Sequence, residues 1–311
     1  MLSANKRRVG AMLCCCAATG VTATTTVSAT TLFDSQGFES SAGYTVPSYL
    51  YNEPGTPGAS GPGIGQFAGT SYANPYAAVY TYTSIFGGNT NASNLDVVNI
   101  HDSADTNSTG TINPGYYYPL LNSVTPGNGG VQSQVSVAFQ LARGSTNVGD
   151  PFFGVVAYGA LSSQEALLNP VGELGIDGTT GTIVGANSLT AAGATFVATA
   201  DTFYDFDLLL DYPSQTYSLY EASTSATSYT LLGTGVFITP NTTTFTTAAL
   251  ATSPLATVGG VTVPVTGDGY FDNFSISTVP EPTTAGIVMG GLAMSSLVRR
   301  RRNASTKIRI S

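Results

Sequence analysis

The chain has 311 residues, of which 42% are hydrophobic and only 9% charged, with 17 tyrosines, one histidine and no tryptophan. Its formal charge of −8 conceals a segregation. Three of the ten basic residues lie in the first eight positions and six lie after position 298, so Arg143 is alone between Thr30 and Pro282, where all 18 carboxylates fall and the charge is near −17. A body so poor in cations excludes nucleic acid and other polyanions as electrostatic partners. Metal cations and neutral sugars remain compatible, and a solvated surface of like charge accounts for most of the carboxylates.

Residues 1–29 read as a secretory signal peptide: Lys6, Arg7 and Arg8 form the positive start, residues 11–21 the apolar stretch, and Val27-Ser28-Ala29 a small-residue site cleaved before Thr30. Cys14, Cys15 and Cys16 all lie inside it, so the exported chain gains nothing from disulfides. Met12-Leu13 before Cys14 is a poor lipoprotein site.

Residues 30–278 form the body, read as an all-β sandwich from apolar alternation between Gly, Pro and Asn clusters. Residues 52–65 are too dense in Gly and Pro for a strand and form a long loop; residues 89–94 and 102–110 are polar turns, the latter lacking the Gly and Glu spacing of a calcium loop. In residues 131–141, Val131, Val135, Val137, Phe139 and Leu141 share a buried face and Gln132, Gln134, Ser136 and Gln140 a wet one. Residues 152–158 suit a central strand, residues 162–168 a brief helix, and residues 173–177 run into a hairpin turn at Gly178 to Gly181. The strongest hairpin spans residues 203–220, where Tyr204, Phe206, Leu208, Leu210 and Tyr212 alternate with Asp205, Asp207 and Asp211. Those three aspartates share one face. A solvated outer face is the reading preferred there over a cation or sugar site.

Residues 32–39 (LFDSQGFE), the hairpin DFDLLLDYPSQTYSLY and residues 269–276 (GYFDNFSI) resemble elements of concanavalin A-like and carbohydrate-binding-module jelly rolls. That resemblance implies a jelly-roll β-sandwich whose first and last strands pair, bringing Glu39 near Asp272, and a structural calcium ion held by these two with backbone carbonyls. Strand parity places Asp272 with Phe274 and Ile276 on the core side, where a carboxylate without a basic partner calls for a cation or hydrogen bonds. The alternative is a turn capped by Asp272 and Asn273.

Catalysis has little to stand on in the sequence. His101 is the lone histidine, no HExxH or GxSxG appears, and Glu165 and Glu173 are left as the glycosidase-type carboxylates. Tyr116, Tyr117, Tyr118, Tyr76, Tyr80 and Tyr82 are the candidate sugar platforms, although strand packing explains most of them.

The tail, residues 279–311, orders Val279, Pro280, Glu281 and Pro282, an uncharged apolar run over 283–298, and Arg299, Arg300, Arg301 and Arg302. As a transmembrane helix the run reaches about 24 Å, a marginal span, with the arginines kept on the cytoplasmic side. This arrangement resembles the PEP-CTERM sorting signal of exopolysaccharide-producing bacteria. It implies an exosortase and the secretion machinery as partners, the helix in the inner membrane before processing, and a final place in the cell envelope or outside the cell. The expectation is an exported, non-catalytic structural or adhesive protein of the envelope or exopolysaccharide matrix, and not an enzyme. The alternatives are a calcium-dependent carbohydrate-binding protein and a glycoside hydrolase-like enzyme.

Overall fold

A computed structural model describes residues 29–44, 46–50, 67–69, 76–86, 96–102, 115–127, 133–149, 151–162, 166–185, 190–191, 196–224, 228–254, 257–258, 261–262 and 266–279. The signal segment up to residue 28, the loop at 52–65, the turns at 89–94 and 103–110, Glu165, Pro280, Glu281, Pro282, the apolar run and Arg299 to Arg302 lie outside these residues. No helix among the described residues is long and apolar enough to cross a membrane.

The described chain is built almost wholly of strands. In order they are β1 Thr30–Asp34, β2 Ser48–Tyr49, β3 Phe67–Gly69, β4 Tyr76–Thr81, β5 Asp96–Asp102, β6 Gly115–Pro119, β7 Gln134–Arg143, β8 Pro151–Leu161 and β9 Leu167–Asp177. There follow β10 Ile183–Val184, β11 Thr190–Ala191, β12 Tyr204–Asp211, β13 Thr216–Ser223, β14 Thr230–Val236, β15 Thr247–Pro254, β16 Thr257–Val258, β17 Val261–Thr262 and β18 Gly267–Val279. A five-residue helix, α1 Tyr82–Phe86, follows β4 directly.

Two main antiparallel sheets result, beside a separate two-stranded ribbon of β16 and β17. The larger runs β11-β14-β13-β12-β7-β18-β5-β4-β2, with β1 also on β18, and the smaller runs β10-β9-β8-β15-β6-β3. Strands distant in sequence become neighbours, as in Greek-key and jelly-roll sandwiches rather than meanders. The expected pairing of first and last strands is present, with Phe33 opposite Ile276 and Asp34 opposite Ser275. The core lies where the sheets face: Val137, Phe139, Leu141, Phe206, Leu208, Leu210, Phe271 and Phe274 meet Val155, Leu174, Ile176 and Leu250.

Alternation dictates which side chains enter that core. On β7, Val135, Val137, Phe139 and Leu141 are buried while Gln134, Ser136 and Gln140 are half-buried on the opposite face. β8 lies between β9 and β15 and is buried from Pro151 to Gly159, which is why its sequence is apolar without alternation. The hairpin of residues 203–220 forms as β12 and β13, paired from Tyr204–Ser223 to Asp211–Thr216. The turn after β9 is held by Asp177, whose Oδ1 accepts the amides of Thr179 at 2.8 Å and Thr180 at 2.9 Å. The brief helix expected at 162–168 is corrected, since Leu167 and Leu168 already belong to β9.

Candidate functional site

Register brings the polar face of β7 against the acidic face of β12. Phe206, Leu208 and Leu210 are fully buried on the inner side, so Asp205, Asp207 and Asp211 stand in a row on the outer side of the larger sheet. Each carboxylate takes a hydrogen bond from β7: Gln140 Nε2 donates to Asp205 at 2.7 Å, Ser136 Oγ to Asp207 at 2.7 Å, and Gln134 Nε2 to Asp211 at 3.3 Å. The expected solvated face is therefore corrected to a half-buried, hydrogen-bonded one. Burial pushes the carboxyls of Asp205 and Asp207 above the usual carboxylate range, and the bonds from Gln140 and Ser136 pull the other way. Asp207 is the more deeply enclosed of the two. Tyr229 is 49% exposed. Its hydroxyl is pushed up by burial and then by the charges of Asp205 and Asp207, which places it close to both. Two residues apart on one strand, those aspartates have Cα positions about 6.6 Å apart.

Next to this row lies Asp272, directly opposite Gln140. The expected placement on the core side is corrected by a bulge. Phe271 pairs with Leu141 and Asp272 with Gln140, but the register slips before Ser275 pairs with Ala138, and Asn273 takes a left-handed φ of 47°. Phe271 and Phe274 therefore both enter the core, and Asp272 faces outward like Gln140. It is nevertheless 0% exposed. α1 lies over this part of the face, its Tyr82 and Phe86 packed with Val97, Ala142, Tyr270 and Phe203.

Glu39 and Asp272 do come together. A 3-10 turn at Gln36–Phe38 sets Gly37 at φ 71°. A Cβ there would lie 3.3 Å from Oδ1 of both Asp272 and Asn273 and 3.5 Å from Glu39 Cγ. This is a cradle of oxygens that a side chain would fill. The amide of Asn273 donates to Asp272 Oδ1 at 2.7 Å, that of Asp96 to Glu39 Oε1 at 3.4 Å, and that of Ser40 to Asp96 Oδ2 at 3.0 Å. The Tyr82 hydroxyl is buried without a hydrogen-bond partner, and burial, then the charges of Asp272 and Glu39, push its ionisation far up. Among the described residues no three His, Cys, Asp or Glu side chains are grouped as metal ligands. A calcium ion here would rest on two carboxylates, the Asn273 amide oxygen and backbone carbonyls, a donor set of hard oxygens that fits its chemistry.

The remaining candidates scatter. Glu173 sits half-buried on β9, opposite Val156, on the outer side of the smaller sheet, and burial pushes its carboxyl up. It does not approach the aspartate row. Tyr117 is in the main core, Tyr118 and Tyr158 in a cluster outside the smaller sheet, and Tyr116 packs edge-on to Tyr158 at 6.3 Å. Val279 ends β18 and His101 belongs to β5. Arg143 is spent on main chain, donating to the carbonyls of Ala198 at 2.9 Å, Gly178 at 3.1 Å and Thr179 at 3.0 Å. Sequence alternation located the aspartate row but not its partners, because a strand's wet face carries no mark of which strand will lie beside it.

No known family and no curated protein matches the chain. Among solved structures it is similar to a GH131 β-glucanase catalytic domain from Podospora anserina, at 14% identity over 81% of this chain and 97% of that one, with a TM-score of 0.45. It is similar also to the catalytic domain of a glycoside hydrolase family 131 protein from Coprinopsis cinerea, at 16% identity over 65% of this chain and 78% of that one, TM-score 0.40. An alginate lyase from Chlorella virus matches at 10% identity over 59% of this chain and 85% of that one, TM-score 0.34. A sialidase matches at 8% identity and TM-score 0.41, and the chain spans only 17% of its length. These likenesses concern the arrangement of strands and assign no residue. They correct the expectation of a non-catalytic structural or adhesive protein that is not an enzyme: the structures of similar architecture are enzymes, most of them acting on polysaccharide by their titles.

Proposed function

We propose that the body is a glycoside hydrolase-like enzyme acting on an uncharged polysaccharide, with Asp207 and Asp205 as its carboxyl pair. The observation that carries this reading is two carboxyls on one outer strand face in unequal surroundings, the more enclosed one held by a hydroxyl and the more open one by an amide. Unequal surroundings separate the roles of acid and base. Asp207, the more deeply enclosed of the two and pushed up by burial, takes the part of the acid and gives a proton to the leaving glycosidic oxygen. Asp205 takes the part of the base: as a carboxylate it accepts a proton from water as that water's oxygen bonds to the anomeric carbon and the glycosidic bond breaks. The Cα positions of Asp205 and Asp207 lie about 6.6 Å apart along the strand; the inverting route needs about 6.5–9.5 Å between the carboxyl groups themselves, with the water between them. Tyr229, half-exposed beside both carboxyls, offers a face for a sugar ring. An anionic polymer would meet a body charged near −17 whose single arginine is bound to its own backbone.

The decisive experiment incubates the purified protein with glucan, mannan, xylan and one anionic polysaccharide and measures new reducing ends. Release from a neutral polymer, reduced about 100-fold or more in Asp207→Asn, is the expected result. Release left intact in Asp207→Asn refutes the assignment. In the same reading the chain is exported through its signal segment and sorted by an exosortase at Val279, Pro280, Glu281 and Pro282, with the apolar run and Arg299 to Arg302 as the membrane stop. Exopolysaccharide of the envelope is then the material within its reach. A structural calcium between Glu39 and Asp272 belongs to the proposal as a brace for the first and last strands; when bound it supplies positive charge to a fully buried carboxylate and takes no part in the reaction.

A further inference from the structure

On the side of β12 away from β7, large apolar side chains stand in solvent. Tyr229 is 49% exposed, Leu231 37% and Val236 61%. Register ties them to the aspartate row. Asp207 lies opposite Tyr220 and Tyr220 opposite Leu231, while Asp211 lies opposite Thr216 and Thr216 opposite Val236. Tyr217 and Leu219 of β13 and Leu232 of β14 are buried in the core. Thr216, Ser218 and Tyr220 therefore face outward, with Leu231, Thr234 and Val236 beside them on β14. Burial, then the charges of Asp205 and Asp207, push up the hydroxyl of Tyr229, which sets that ring beside the pair.

The chemistry of the site thus changes across three neighbouring strands. β12 presents carboxyls, whereas these outward residues of β13 and β14 are uncharged, with hydroxyls at Thr216, Ser218, Tyr220 and Thr234 and aliphatic groups at Leu231 and Val236. A sugar ring offers the matching surface, since its face is C–H and its rim is hydroxyl. Other occupants fit the charges less well. A second copy of this chain would bring another body near −17 against Asp205, Asp207 and Asp211, and a basic partner would be drawn to those aspartates and not to β14. Neighbouring strands lie about 4.8 Å apart, so the Cα positions of Asp207 and Leu231 are about 9.6 Å apart, comparable to the length of a disaccharide.

Resting on the hydrolytic reading above, we propose that the outward side of β13 and β14 is the ledge on which that site holds its glycan: a neutral chain crosses the strands from Asp207 over Tyr220 to Leu231, its sugars lying flat with their C–H faces on Tyr220, Tyr229 and Leu231. These three side chains are specificity determinants. They grip the sugars beside the bond that is cut and take no part in the proton transfers, so they contribute equally to the bound substrate and to the transition state. Val236 lies off this path, on the level of Asp211, about 13 Å along the strand from Asp207.

The test measures kcat and KM for the release of reducing ends from whichever of soluble glucan, mannan and xylan the purified protein cleaves. Leu231→Asn and Tyr229→Ser should each raise KM about tenfold and leave kcat within about twofold, the signature of lost uniform binding. Val236→Asn, the same kind of change at a more exposed position off the path, should leave both constants as they are. Retention of Asp207→Asn in a native gel cast with that polymer should weaken when Leu231→Asn is added. Thermal unfolding of each variant verifies its fold. A KM unmoved by Leu231→Asn and Tyr229→Ser, or raised as much by Val236→Asn, would overturn the ledge alone and leave the hydrolytic reading standing. Concentration-dependent dimerisation that Leu231→Asn abolishes would assign β14 to a second copy of the chain and overturn the ledge likewise. Absence of new reducing ends with every polymer would overturn the hydrolytic reading, and this inference with it.

Discussion

Asp207, Glu173 and Asp272 show how differently three acids of one chain are accommodated. Asp207 has a hydroxyl partner, Asp272 has a backbone amide, and burial pushes the carboxyl of Glu173 up. For a carboxyl whose folded pKa is raised, the folded state holds the proton longer than the unfolded one. Its contribution to stability is thus greatest below the usual carboxylate pKa of about 4 and is lost as pH rises through the raised value. Glu173→Gln should therefore flatten the decline of Tm between mildly acidic and neutral pH; an unchanged pH profile would count against the burial argument. For Asp272 the relevant partner is the proposed cation. Calcium should raise Tm in the native protein, chelator should reverse it, and Gly37→Ala, which places a methyl in the oxygen cradle at a left-handed φ, should abolish the difference.

At the scale of elements, the bulge in β18 decides more than any single contact. One residue in the left-handed region, Asn273, lets Phe271 and Phe274 both enter the core and turns Asp272 to the outer face. Asn and Gly adopt that conformation readily and β-branched residues do not. Asn273→Val should cost about 1–2 kcal/mol in denaturant unfolding, whereas Asn273→Gly should stay within about half a kcal/mol of the native protein. Equal losses in both would mean that the Asn273 side chain, not the backbone conformation, holds the bulge. The same element explains why parity counting failed. Alternation predicts faces only while the register is continuous, and nothing in GYFDNFSI forces a bulge until the partner strand β7 is in place.

Across the whole molecule, charge dominates the sequence and hydrogen bonds decide how it is tolerated. A body near −17 repels itself. Added salt should raise Tm by screening that repulsion, with a smaller gain at mildly acidic pH where carboxyls are neutralised. Salt that leaves Tm unmoved would show the carboxylates to be too far apart to interact. Self-repulsion also gives meaning to the donors on β7, which hold Asp205, Asp207 and Asp211 without adding positive charge.

The all-β sandwich, the inner faces of β7 and β12, the hairpin joining β12 to β13 and the continuously buried β8 were legible in the sequence, because alternation, apolar runs and turn residues are local signals that the backbone obeys within a few residues. The meeting of Glu39 with Asp272 was reached through resemblance, not through those signals. Three things were decided only by the tertiary structure: which polar face lies beside the aspartate row, the bulge that turns Asp272 outward, and the aromatic wall that α1 raises over β18. Each depends on residues 65 or more positions apart becoming neighbours in one sheet, as Gln140 and Asp205 do. Local periodicity states what each strand buries and exposes. Only the packing of strands determines which exposed faces combine into a site.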